Sequence, residues 1–254
     1  MVILKIFKKT LVFLIILSLW ELVTYFKVWS GYILPSPITV LKCFFTMLNN
    51  GEIFINIGSS LYRIIIGFFI SALFAVPLGF IFGLKPKIYE YFKPLFEFMR
   101  NTPPLALIPM LILWFGIGEK SKIIVIILAS FFPIFLNTLN GVLSTDSKLL
   151  EVGISFKLNR KDIIKKIIMP SAMLNILVGL KLGIGYSWRA IIGAEMIAAS
   201  SGLGYLILDA KEMSRSDEVI VGIILIGTLG ILTDKLFGMI ITKSKYGRRS
   251  KAFE

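Results

Sequence analysis

Arg63, Lys181, Arg189, Glu195 and Lys235 stand inside otherwise apolar stretches. A charge at the centre of a bilayer costs at least about 2.5–3.5 kcal/mol, so such residues are functional candidates by default. The chemistry they offer is electrostatic: lining a polar path for a solute, or pairing with an opposite charge inside a bundle. Arg189 lies in the richest stretch, with Lys181, Tyr186, Ser187 and Glu195 and with Gly179, Gly183, Gly185 and Gly193. It either lines such a path or forms an ion pair in the bundle. Lys181 lies near one end of its stretch and can snorkel, and Glu195 fits the opposite interface. The three, Arg189, Lys181 and Glu195, are the candidate pathway residues. Arg63, six residues into its stretch, reads as a snorkelling or interfacial residue.

Covalent and acid–base chemistry is poorly provided for. The chain has no histidine and one cysteine, Cys43, which excludes disulfide frameworks, Cys/His zinc sites and imidazole catalysis. Glu21 and Asp234 are isolated carboxylates, and no nucleophile has a base beside it in sequence. Gly116-Ile117-Gly118-Glu119-Lys120-Ser121 ends like a phosphate-binding loop but lacks the first glycine at the required spacing. No catalytic residue, cofactor site or metal site is expected, and energy for any transport must come from a gradient or a partner.

The elements that position these residues are membrane helices. Of 254 residues 56% are hydrophobic, and the mean hydropathy is +0.85, more apolar than a soluble core of this length needs. A helix needs about 20 apolar residues to cross a core of roughly 30 Å. Five stretches qualify: Thr10 to Phe26, Ile57 to Leu84, Ile123 to Leu143, Met173 to Ile197 and Val219 to Ile241. A sixth, Pro94 to Gly116, is interrupted by Arg100, Pro103, Pro104 and Pro109, and is tolerable only where protein or water covers the break. The expected fold is an all-α integral membrane protein of about six transmembrane helices, the third irregular. Lys5, Lys8 and Lys9 before the first stretch imitate a signal peptide, but no small-residue cleavage site follows.

The net charge of +13 fits membrane orientation better than nucleic-acid binding, because the basic residues alternate with apolar runs instead of forming one patch. With the N-terminus inside, the inner segments hold eighteen: Lys5, Lys8 and Lys9; Lys85, Lys87, Lys93 and Arg100; Lys148, Lys157, Arg160, Lys161, Lys165 and Lys166; and Lys243, Lys245, Arg248, Arg249 and Lys251. The outer segments hold six: Lys27, Lys42, Lys120, Lys122, Lys211 and Arg215. Both termini are therefore expected in the cytoplasm.

Two connections have patterns of their own. Pro37 to Asn50, with Val40, Leu41, Phe44, Phe45 and Leu48, reads as a helix lying in the outer interface. Ser144 to Pro170 is the one sizeable cytoplasmic element, with Val152, Phe156, Ile163, Ile164, Ile167 and Ile168 among charges, and needs something to pack against. Glu151 is expected to position its helix by a polar contact or cap near the start. Gly79 with Gly83, and Gly179 with Gly183, are small-xxx-small pairs suited to close helix contacts. No linker divides the chain, so 1–254 is read as a single domain with the cytoplasmic segment at 144–170.

Glu151-Val152-Gly153, with Pro170 seventeen residues after Gly153, resembles the "EAA" loop of binding-protein-dependent ABC importer permeases. Further motifs resemble the nitrate/sulfonate/taurine branch: Leu34-Pro35-Ser36-Pro37, Ser60-Leu61-Tyr62-Arg63, Arg100 to Pro109, Trp114 to Glu119, Phe132-Pro133-Ile134, Ala194-Glu195-Met196-Ile197-Ala198 and Ser201-Gly202-Leu203-Gly204-Tyr205. The family usually has alanine at Gly153 and glycine at Lys157, so Lys157 implies a different turn or a less sharp bend. The resemblance implies a type I importer permease in the cell membrane that forms a homodimer, with two ATP-hydrolysing subunits below it and an extracytoplasmic substrate-binding protein above. It assigns ATPase coupling to Glu151, Val152, Gly153, Phe156, Ile163, Ile164 and Pro170. The rival expectation is a gradient-driven secondary transporter or channel, whose inverted repeats and proton relays are not seen.

Overall fold

The computed structural model describes residues 2–243, with side chains from Leu11 onward; Lys5, Lys8 and Lys9 as side chains, and Lys245, Arg248, Arg249 and Lys251, lie outside what it describes. Among the described residues every regular element is helical. α1 (Val2–Tyr25) exposes the apolar side chains of Leu11 to Leu17 and is tied to the rest by Trp20, whose Nε1 donates to the Pro35 carbonyl at 3.0 Å. α2 (Pro37–Asn49) begins where the sequence pattern places it, with Pro37 in the first turn and the Ser36 hydroxyl accepting from Thr39 N–H. Its buried residues are Val40 and Met47, while Leu41 and Phe45 are exposed.

α3 (Glu52–Leu84) follows directly, entered through Gly51 at φ +81°. At about 1.5 Å per residue its 33 residues reach beyond both faces of a bilayer. α4 (Pro86–Asn101) crosses back over the bundle and lays Tyr89, Phe92 and Phe96 on Phe82, with Phe96 5.0 Å from the Phe135 ring. The irregular third stretch breaks at Thr102 and Pro103, and Pro94 stays inside α4. A residue preceding proline is pushed out of the helical region. Thr102 precedes Pro103 and Pro103 precedes Pro104, so two successive residues are extended, at ψ 117° and 125°. A single 3-10 turn (Pro104–Leu107) and the short α5 (Ile108–Phe115) complete that stretch.

α6 (Glu119–Leu143) is the centre of the core. α3 approaches it at Gly79, where an added Cβ would come 2.6 Å from the Phe135 carbonyl oxygen. Gly179 and Gly183 do the same from the other side, at 2.8 Å from Asn137 Cβ and 2.7 Å from Ile134 Cγ1. The small-xxx-small pairs are therefore packing surfaces.

The cytoplasmic segment is α7 (Ser147–Ser155), then α8 (Arg160–Ile163), a π-turn (Ile164–Ile168) and α9 (Met169–Ala198). α7 is capped by Asp146, which accepts from Lys148 N–H at 2.9 Å; Glu151 lies a full turn further on and is not the cap. The turn after α7 is the one a glycine would make. Lys157 has φ +54°, its N–H donates to the Ile154 carbonyl at 2.8 Å, and Leu158 N–H donates to the Gly153 carbonyl at 3.0 Å. This is the Schellman arrangement, adopted here by a residue with a Cβ. Lys157→Gly is accordingly expected to stabilise the purified protein by on the order of 1 kcal/mol, because the left-handed region costs an L-residue about that much. A lower thermal midpoint for the variant would show that the lysine makes a compensating contact.

α10 (Leu203–Glu212) and α11 (Ser216–Lys243) close the fold, α11 packing on α9, α10 and α2. By length and composition α3, α6, the continuous α8–α9 helix and α11 can each cross a membrane; among the described residues Leu11–Tyr25, Pro37–Asn49 and Pro104–Phe115 are the shorter apolar pieces.

Candidate translocation site

A cleft of about 690 Å³ opens beside the bundle. Its walls come from the end of α4 and the turn after it (Phe98, Arg100, Thr102, Leu105), from α6 (Phe132, Asn137) and from α9 (Leu182, Tyr186, Arg189). Arg189 is exposed into this space, with its guanidinium carbon 5.4 Å from the centre of the Tyr186 ring. Among the described residues it forms no ion pair, so of its two expected roles the bundle ion pair is absent. Arg100 supplies a second cationic side chain from the facing wall. The cleft thus joins an apolar lining to two guanidinium groups, an arrangement suited to a small solute that carries negative charge.

The other two candidates lie elsewhere. Lys181 turns toward α11, where its Nζ is 3.1 Å from Asp234 Oδ2. Glu195 is 1% exposed and lies neither in the cleft nor at an open interface. It receives Ser60 Oγ at 2.8 Å, Arg63 Nη1 at 2.7 Å and Gly204 N–H at 2.9 Å. Arg63 does not snorkel: it is 3% exposed and is the hub of this network. Its Nε and Nη2 meet the two Glu119 oxygens at 2.6 and 2.9 Å, and its Nη1 also donates to the Ser201 carbonyl at 2.7 Å. Lys122 pairs with Glu119 at 2.9 Å.

Sequence reasoning had a signal for part of this. Asn56, Ser60 and Arg63 stand at i, i+4 and i+7, one polar line along an otherwise apolar helix. Asn56 Oδ1 accepts from Gly202 N–H at 2.8 Å and Ser60 Oγ from Leu203 N–H at 2.9 Å, so the line holds the 199–204 connection against α3. That connection needs glycine at 202, where φ is +119° and any Cβ would collide with the Glu195 carboxylate. The Ser60–Arg63, Glu119, Glu195 and Ser201–Gly204 motifs, scattered along the sequence, meet in this one cluster.

The expected coupling residues divide into two groups. Val152 and Phe156 are exposed, Phe156 by 77%, as are Leu149 and Ile154. Gly153 is buried, and a Cβ there would lie 2.6 Å from Ile167 Cδ1 and 3.6 Å from Ile163 Cγ1, so Ile163 faces α7. Ile164 is partly buried, Glu151 is exposed, and Pro170 sits in the first turn of α9.

Four helices able to cross a membrane, a cleft beside them and an exposed helical appendage define a polytopic membrane protein of the all-α class. The chain belongs to the family of binding-protein-dependent transport system inner membrane components, whose sequence model matches residues 75–245. It is 36% identical over 236 residues to a protein of Bacillus subtilis (strain 168) named as an aliphatic sulfonates transport permease, SsuC, covering 93% of this chain and 86% of that one. It is 34% identical over 225 residues to the taurine transport system permease protein TauC of Escherichia coli (strain K12), covering 87% and 82%. An inward-facing structure of the MetNI methionine ABC transporter shares the fold, with a TM-score of 0.57 at 15% identity over 71% of this chain and 92% of that one. The protein is thus an ABC importer permease, and the gradient-driven alternative falls away.

Proposed function

We propose that this permease carries small organic anions of the sulfonate class through the cleft between the end of α4, α6 and α9, with Arg189 as the group that meets the anion. The observation that carries the reading is an unpaired guanidinium exposed into an apolar cleft, which is costly unless water or an anion meets it. The names of the sulfonate and taurine relatives point the same way. The working assembly is a homodimer in the lipid bilayer, with ATP-hydrolysing subunits docked on α7 and a substrate-binding protein on the opposite face. Residues 1–254 act as one permease unit whose segment 144–170 faces the cytoplasm, as do both termini, a placement supported by the distribution of basic residues.

The test is uptake of taurine or an alkanesulfonate by proteoliposomes holding the assembled transporter. A hydrogen bond to a charged group contributes about 1.5–3 kcal/mol, so Arg189→Ala should lower uptake roughly 10- to 100-fold. The variant should assemble normally, because Arg189 joins no ion pair among the described residues. Parental uptake by this variant, or failure to fold, would remove Arg189 from the pathway.

A further inference from the structure

α4 has three faces. At about 100° per residue, Tyr89, Phe92 and Phe96 fall on one side, where their rings pack on Phe82 and Phe135. Ile88, Tyr91, Leu95 and Phe98 form a second side, apolar and exposed, with Tyr91 at 86% and Phe98 at 72%. Glu90, Lys93, Glu97 and Arg100 form the third, charges of alternating sign within about 80° of arc. All four are exposed, and among the described residues none forms an ion pair.

This charged face is not confined to the end of the bundle. α4 leaves the Leu84 end of α3 and climbs along α6, a helix long and apolar enough to cross a membrane. Phe96 meets Phe135, eight residues from the Leu143 end of α6, or about 12 Å along it. Higher still, Phe98, Arg100 and Thr102 share the cleft with Leu128, fifteen residues from that end. The face therefore runs from the α7 end of the bundle up to the cleft, where Arg100 is itself a wall residue. A charge turned toward hydrocarbon is costly, and charged residues within membrane segments face protein or water instead. No opposite charge of the described chain meets these four.

We propose that the polar face of α4 is one wall of a water-filled passage leading from the cleft to the α7 side, the way out for the solute. The inference rests on the sulfonate transport and the cytoplasmic placement of α7 proposed above. The two places differ in the way release requires. Among its described lining residues the cleft has Arg100 and Arg189 and no carboxylate, which suits it to hold an anion. Along α4, Glu97 stands one turn from Arg100 and Glu90 one turn from Lys93, so the face carries no net charge and offers the anion no second strong site. Conduction needs binding weak enough to leave.

Thiol accessibility in the assembled transporter is the test. Cys43→Ser first removes the one native thiol of the chain. Single substitutions Glu90→Cys, Lys93→Cys and Glu97→Cys then sample the polar face, and Tyr91→Cys and Leu95→Cys the apolar one. The probe is 2-sulfonatoethyl methanethiosulfonate, an anion that does not cross membranes. It reacts with the thiolate, which forms in water and is suppressed in apolar surroundings. In inverted vesicles, whose medium bathes the α7 side, the three polar-face positions should be labelled at least roughly tenfold faster than the two apolar ones, since each unit of raised thiol pKa removes tenfold of the thiolate. Equal rates on both faces, or labelling only in right-side-out vesicles, overturns the proposal. So does protection of all three polar-face positions, or failure of all three variants to fold in size-exclusion profiles, as either means that the face is packed against protein. Failure of the sulfonate reading shows separately, as vesicles that take up no sulfonate while the labelling pattern stands.

Discussion

Replacing Arg63 by methionine is expected to cost about 3–5 kcal/mol and to deplete the folded permease in membranes. An unbranched apolar stem is kept, but Glu195 is left as a buried carboxylate without its cation, and breaking one partner of a buried pair has effects of that size. Native proteins are stable by only about 5–15 kcal/mol, so the loss is a large fraction of the total. Glu195→Gln alone should also destabilise, by stranding the guanidinium end that now meets Oε1 at 2.7 Å. The double variant Arg63→Met with Glu195→Gln should be less damaging than the two singles added, with a coupling energy of about 0.5–3 kcal/mol. Thermal melts of the four proteins in detergent supply the cycle. Additive effects would mean that the two side chains are neighbours without being energetically paired.

Phe156→Ala is expected to weaken recruitment of the ATPase roughly thirtyfold while leaving the permease folded. Phe156 ends α7 immediately before the left-handed turn at Lys157, and its ring has no place in the protein's own core. Truncating a large anchor at an interface costs about 2 kcal/mol or more, roughly thirtyfold in affinity, whereas a rim charge contributes little. Lys161→Ala, an exposed position on the same appendage, should therefore leave recruitment nearly intact. Co-purification of the ATPase and substrate-stimulated ATP hydrolysis in liposomes read the two effects together. Parental recruitment and stimulation after Glu151 and Phe156 are both replaced by alanine would place the coupling surface elsewhere.

What could be read from the sequence follows from the range of the interactions involved. The helices were legible because an apolar run of sufficient length has few alternatives in a bilayer, and the α2 start because a proline in the first turn acts locally. The break at Thr102 follows from adjacent prolines, which act on the residue before them. Arg63 was misjudged because its partners Glu119 and Glu195 are 56 and 132 residues away, and pairing over such distances leaves no local trace. The polar line Asn56, Ser60, Arg63 announced that something polar faced α3, but not what. The π-turn left no sequence mark beyond Pro170, and Ile164 and Ile168 at its ends keep ordinary helical angles. Lys157 was underestimated for the opposite reason, as hydrogen bonds from its own and the next N–H hold a conformation its side chain disfavours.

The seam between α6 and α9 limits the ways this protein can move. At Gly141, Gly179 and Gly183 the two helices are so close that an added Cβ would come within 2.7–2.8 Å of the opposite side chain. Surfaces in such contact cannot slide by a fraction of a turn without collision, and packed interfaces of this kind are bistable, not continuously deformable. In kinematic terms α6 and α9 count as one body. The remaining freedom lies where the contacts are aromatic and shallow, between α4 with its following turn and the face of Phe82, Phe132 and Phe135. A movement that widens or narrows the cleft is then expected to displace α4 and its following turn against α6 and α9 held together.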